Sequence, residues 1–276
     1  MPTPSSDYLK LGSGECFIRL IEAGVLADEW RHLGNVETLE VTTTDDKLVK
    51  KESMTRARAV YKSVTRSRDI IIRLVGDEFS PENLALMMMG SVAYATQTAV
   101  AVVDQVLMAD VPASTLGAAL GGQFFYVGAL GINTVTLKLG ATSLGASDFE
   151  VYDPAMGLIR VLEGSAEVTD GAKDLLVSYT PTAITGKNSP VVRGGTETEI
   201  EAQFMFMSDN TAGENAILRA WRVSISPDGA LGWISDEFAQ FALNLAVQSD
   251  ADGNYGGSAA DPLYHAQFLP NTLIPA

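Results

Sequence analysis

Two residue types that carry much of enzyme and metal chemistry are nearly missing from this 276-residue sequence, which has one cysteine and two histidines. A single thiol, Cys16, excludes an intramolecular disulfide and a multi-thiolate zinc site. Glu15-Cys16-Phe17-Ile18-Arg19-Leu20 alternates as a strand does, so Cys16 reads as a buried structural thiol. His32 stands beside Trp30 and His265 beside Tyr264, far apart in the chain, and each reads as an ordinary structural or surface residue. Positive charge is scarce as well: 19 Lys and Arg face 34 Asp and Glu, for a net charge of −15. Such a chain does not grip nucleic-acid phosphates over a broad face, though it suits a wall past which nucleic acid slides. Unbroken apolar runs are also lacking. The two uncharged stretches, 83–103 and 111–137, are interrupted by Gly90-Ser91 and by Pro112, five glycines, Gln123 and Asn133. Neither supplies the roughly 20 consecutive apolar residues of a bilayer-spanning helix. Residues 1–7 show no basic or apolar signal region, so no secretory signal is expected.

Catalytic motifs are missing in the same way. There is no nucleophile elbow, zinc pattern or metal-binding helix, and Gly12-Ser13-Gly14 precedes a strand, which denies it the geometry of a phosphate cradle. Asp250-Ala251-Asp252-Gly253-Asn254 has the outline of a calcium loop. Its twelfth position is Asp261 where a bidentate glutamate is required, and no helices flank it. No carboxylate pair is singled out for acid–base work. The sequence therefore assigns no catalytic residue, metal or cofactor, and a non-enzymatic role is expected.

What is present is a folded chain, 46% hydrophobic, long enough for one large or two modest domains. Its organising stretch is 33–90. In 33–44, Leu39 and Val41 alternate with Thr38, Glu40 and Thr42; in 67–75, Ile70, Ile72 and Leu74 share one face. Between these two strands, 45–66 reads as a long polar loop. Residues 47–73 hold nine of the 19 cations (Lys47, Lys50, Lys51, Arg56, Arg58, Lys62, Arg66, Arg68 and Arg73) against Glu52 and Asp69. That segment is +7 and the remainder of the chain −22. A basic excursion on an acidic body suits head-to-tail contact between copies, or it is a solvated loop. A helix of about three turns follows over 80–90, with Ser80 as N-cap, Pro81 at the first position and Gly90 as the left-handed stop.

The rest reads as strands. They fall near 15–21, 123–127, 133–139, 148–152, 158–163, 173–180, 197–207, 217–225, 241–248 and 263–269, with strand also favoured over helix in 91–111. In 197–207, Glu197, Glu199 and Glu201 share one face, where like charges repel; the row is either a solvated face or an acidic wall toward a lumen. The expected fold is mainly β: an antiparallel sandwich or barrel with one short flanking helix and a long hairpin loop.

A series of short motifs runs in order along the chain. It includes Arg31-His32-Leu33-Gly34-Asn35, Asp77-Glu78-Phe79-Ser80-Pro81-Glu82-Asn83-Leu84-Ala85 and Asp148-Phe149-Glu150-Val151-Tyr152. It continues with Gly157-Leu158-Ile159-Arg160-Val161-Leu162, Gly194-Gly195-Thr196-Glu197 and Val223-Ser224-Ile225-Ser226-Pro227-Asp228-Gly229. On these the chain resembles the tail tube, or major tail, proteins of long-tailed bacteriophages. The resemblance implies a homohexameric ring whose subunits pool their sheets into an inner β-barrel. It implies rings stacked around a tape-measure protein, with tail tip or baseplate and terminator proteins at the ends. The tube conducts DNA without binding it specifically, and subunits are soluble in the host cytoplasm before joining the virion. Carried onto this chain, 45–66 is the stacking loop, with Lys47, Lys50, Lys51, Arg56, Arg58 and Lys62 meeting acidic surface on the next ring, and Glu197, Glu199 and Glu201 face the lumen. The implied division is an arm over 1–14, a tube domain split between 15–110 and 196–276 (the latter ending in a C-terminal arm), and an inserted lobe over 111–195. The rival reading is a soluble β-sandwich that binds a glycan or receptor on a virion or cell surface. It calls for an aromatic platform, and Trp30, Trp221 and Trp233 are too scattered to suggest one.

Overall fold

A computed structural model describes residues 12–54, 56–112, 116–163, 172–211, 213–234 and 236–269. The expected N-terminal arm up to residue 11 and the end of the C-terminal arm lie outside them. The protein is mainly β and antiparallel, as expected, and the contacts divide it into two units, Met1–Ala93 with Val192–Ala276 and Tyr94–Val191.

In chain order, the first unit opens with β1 (Gly14–Glu22), β2 (Val25–Leu26), β3 (Arg31–His32), β4 (Val36–Lys51), β5 (Val60–Gly76) and α1 (Pro81–Met87). After β6 (Ser91–Tyr94) come β7 (Val102–Val111), α2 (Leu116–Leu120), β8 (Phe124–Tyr126), β9 (Ile132–Leu139) and β10 (Thr142–Ser143). The second unit continues with β11 (Phe149–Asp153), β12 (Leu158–Val161) and β13 (Lys173–Pro181). The strand β14 (Pro190–Arg193) pairs with β6, and the chain ends in β15 (Ile200–Ser208), β16 (Ala216–Pro227), β17 (Phe241–Val247) and β18 (Tyr264–Phe268).

The first unit is one sheet in the order β2-β1-β15-β16-β17-β5-β4. The central strand β16 holds two partners on one side, β18 against 216–220 and β17 against 223–227. The period-two pattern is realised in the burial. Ile72 and Leu74 of β5, Leu243 and Leu245 of β17, and Phe204 of β15 point into one core with Cys16 and Ile18, and Ile70 of β5 is buried in the same alternation. Fully burying one such side chain contributes about 1.5–3 kcal/mol. Burial also pushes the Cys16 thiol up to about 12, the behaviour of an inert structural cysteine.

The helix α1 lies on that core through Leu86 and Met87. Ser80 caps it, its hydroxyl accepting from the Asn83 backbone N–H at 3.1 Å, and Pro81 occupies the first turn. Buried Asn83 donates to the Leu33 and Glu78 carbonyls at 2.8 and 2.9 Å, tying the helix to the start of the β4–β5 hairpin. The helix is shorter than expected, and its left-handed residue is Met89 (φ 46°), not Gly90. Gly90 is needed for a different reason: a Cβ there would sit 2.0 Å from the Arg193 carbonyl oxygen.

The second unit has two sheets, β10-β9-β13-β7 and β11-β12-β8, around its own core of Val111, Leu137, Ile159, Val161, Leu175 and Val177 among others. It begins at Tyr94, ahead of the expected boundary at 111, because β7 pairs with β13 and so belongs to this unit. The expected hairpin around Asp153-Pro154-Ala155-Met156-Gly157 joins β11 to β12, with Gly157 at φ 71°. No helix among the described residues is long and apolar enough to cross a membrane.

Candidate functional site

The expected long loop over 45–66 is a correction: it is a two-stranded ribbon. β4 and β5 stay paired from Thr43↔Ile70 to Lys51↔Val60, and beyond that pair the Glu52 N–H donates to the Ala59 carbonyl. β17 lets go of β5 at Ile71, so the ribbon runs on with β4 as its sole strand partner for about 25–30 Å at strand rise. Residues 60–69 of β5 are exposed on both faces, as is most of β4 beyond Glu40. Strand pairing needs only backbone groups, which is why a segment without hydrophobic alternation can still be a ribbon.

Its charges split into two groups. Near the base, Arg68 donates to Asp45 at 2.7 Å, Lys47 lies 3.8 Å from the same carboxylate and Arg66 3.8 Å from Asp46. The Arg68 hydrogen bond holds the Asp45 carboxyl below the usual carboxylate range. Farther out, Lys50, Lys51, Arg56, Arg58 and Lys62 are exposed and have no carboxylate partner among the described residues. Lys50 and Lys62 stand directly across the ladder from each other, a like-charge pair that destabilises a hairpin. Next to them on the same face, Leu48 pairs with Val64, 61% and 47% exposed. The outer ribbon thus offers these cations beside uncovered apolar surface.

The three-glutamate row is also corrected. β15 starts at Ile200, so Glu197 and Glu199 precede it. The Glu197 N–H donates to the Met89 carbonyl just after α1, holding this segment off the sheet ladder. Glu201 is in the strand, but its carboxylate accepts from Arg222 at 2.9 Å and is mostly covered. What the three share is the rim of a cleft of about 620 Å³ with Glu22, Glu82 and Arg31. The Arg31 guanidinium nitrogens are shielded and lack hydrogen-bond partners among the described residues; burial lowers its pKa and Glu82 opposes that. The Asp250 carboxylate, read from sequence in a calcium-like loop, accepts from the backbone N–H groups of Asn254, Tyr255 and Gly257 at 2.8–3.0 Å and so closes its own turn.

Two surfaces escaped the sequence reading. On the outer face of the β8–β12–β11 sheet, Phe124, Tyr126 and Tyr152 are 51–59% exposed; Phe124 meets Tyr152 edge-on at 4.8 Å and carries the Arg160 guanidinium over its ring. Alternation of Phe124 and Tyr126 around inward Phe125 was the available signal. Between β16 and β17, Trp233, Ile234 and Phe238 are 74%, 98% and 96% exposed. Clustered large apolar residues in a turn-rich segment were the signal there.

The pattern of one protein family matches residues 9–259. The chain belongs to that family. It is described as "Protein of unknown function UCP028589". No curated protein matches the chain.

Proposed function

We propose that this chain is a structural tube subunit, of the kind that forms the tail tube of long-tailed bacteriophages, and that it acts by assembly and not by catalysis. Its first unit supplies sheet to a hexameric ring, and the β4–β5 ribbon reaches the adjacent ring. The observation that carries this reading is the ribbon, a two-stranded arm exposed on both faces with five cations that have no carboxylate partner among the described residues, on a chain otherwise strongly negative. The opposed Lys50 and Lys62 repel in the lone subunit and are relieved when carboxylates of a neighbour come between them. Open head-to-tail stacking yields a filament. The lumen holds a tape-measure protein and later passes DNA, and tip and terminator proteins close the ends. Glu197 and Glu199, both exposed, are the acidic residues kept for the lumen wall, while Glu201 is neutralised by Arg222.

The test is electron microscopy of purified protein. Wild-type chain is expected to form rings and hollow tubes. Reversal of Lys50, Lys51, Arg56 and Arg58 to Glu is expected to leave folded subunits without tubes; normal tubes from that variant would refute the ribbon assignment. The runner-up, a glycan-binding module, draws support from the aromatic face of Phe124, Tyr126 and Tyr152. Retention on a glycan array that is lost in Tyr126→Ala and Tyr152→Ala would favour it.

A further inference from the structure

The geometry points to a second self-contact, in which Trp233, Ile234 and Phe238 of one copy seat on an apolar pocket lined by β15 and β16 of another. This inference rests on the assembly reading and names the contact that would join subunits side by side.

The loop is fastened at both feet. Asp228 pairs with Arg73 at 2.5 Å and donates its N–H to the Ala242 carbonyl; at the other end Gln240 donates to Glu37 at 2.6 Å. Its tip presents Trp233, Ile234 and Phe238 almost wholly to water, with Asp236 between them and no partner for that carboxylate among the described residues. Taking three such side chains out of water supplies the driving force for a contact, set against the cost of ordering the loop.

The pocket matches in size and charge. It is about 250 Å³, lined chiefly by Trp30, Met205, Arg219 and Trp221. An apolar cavity of about 150 Å³ takes up benzene, so this one admits an aromatic side chain. Arg219 has no anionic partner among the described residues, and its Nε, like the Trp221 Nε1, is shielded without a hydrogen bond. The loop brings apolar anchors with a free carboxylate; the pocket offers an apolar floor with a free cation. One chain does not satisfy itself. Trp221 lies six residues before the end of β16 at Pro227, about 20 Å along the strand, and the loop side chains stand in water. A contact between two different patches of identical copies is heterologous, and it closes into a ring or runs on as a filament.

The test joins Phe238→Cys to Met205→Cys in one chain. Cys16 is buried with its thiol pushed up to about 12, so the background is silent. Mild oxidation is expected to give a ladder of disulfide-linked multimers on a non-reducing gel. In a second arm, Arg219→Glu or Asp236→Arg alone is expected to raise the concentration for half-assembly about tenfold or more, and the two together to restore it within about threefold. A double-cysteine chain that stays monomeric on the gel under conditions where wild type assembles overturns the contact, as does a charge swap without rescue. A ladder without tubes under the microscope would keep this contact and sink the tube; tubes without a ladder would do the reverse.

Discussion

Replacing Lys62 with Glu separates folding from assembly, because the two should move in opposite directions. In the subunit Lys62 faces Lys50 across the ladder. Two ammonium groups about 6 Å apart in water repel by about 0.7 kcal/mol, and salt at 0.15 M cuts this to about 0.3 kcal/mol. Lys62→Glu reverses the sign, a swing of about 0.6 kcal/mol in favour of the paired ribbon, in line with measured cross-strand pairs. The outer ribbon makes no contact with the core, so the gain is expected in local opening and not in the global melt. Hydrogen exchange of amides in 47–51 and 60–65 should slow by about threefold at neutral pH, the factor that 0.6 kcal/mol gives. Tubes should be lost or shortened, since a cation offered to the neighbouring ring has become an anion. Unchanged or faster exchange would refute the cross-strand arithmetic. Slower exchange with normal tubes would refute the ribbon as the stacking element.

Gly90→Ala is expected to destabilise the first unit by about 1–3 kcal/mol, read as a lower urea midpoint, because its Cβ would meet the Arg193 carbonyl oxygen at 2.0 Å. Gly232→Ala, with nothing within 4 Å, is the neutral control. Arg73 holds the Asp228 carboxyl below the usual range, so the pair stabilises above the unfolded carboxylate value near 4 and is lost as pH falls through the lower folded value. Asp228→Asn should therefore lower the melting temperature at pH 7 and flatten its fall below pH 4; an unchanged acid slope would count against the pair.

Alternation was readable wherever one face of a strand is buried. β5 from Ile70 onward and β17 follow it, β15 turns Ile200, Ala202, Phe204 and Phe206 to the core, and β16 follows it on either side of a register shift between Ala220 and Val223, so the class of fold follows from them. It failed where burial does not act. The ribbon has no core face, so its side chains carry no period, and its pairing is a backbone matter. Gly90 was read as a helix stop because Gly commonly serves there, but the constraint comes from Arg193, a hundred residues away in sequence. The glutamate row dissolved for a similar reason: the bond from Glu197 to Met89 delays the strand, and no local pattern reports it. The boundary of the second unit moved because β7 finds its partner in β13, far along the chain. Of the candidate site, the cations at the ribbon tip were legible from composition alone; the pocket lined by β15 and β16 was not, because Trp30, Met205 and Trp221 meet only in three dimensions.

The two proposed contacts differ in their physics, and salt should therefore take them apart in order. Ribbon stacking depends on exposed cations meeting an acidic body, over distances that a Debye length of about 3 Å at 1 M no longer spans. The loop contact depends on Trp233, Ile234 and Phe238 leaving water, which salt does not weaken and sulfate strengthens. Raising sodium chloride from 0.05 to 1 M should thus shorten tubes into free rings before it yields any subunits, with sedimentation passing through one ring-sized species. Direct passage from tubes to monomers would mean that the side-by-side contact is itself electrostatic, and would place the weight on Asp236 and Arg219 in place of the apolar anchors.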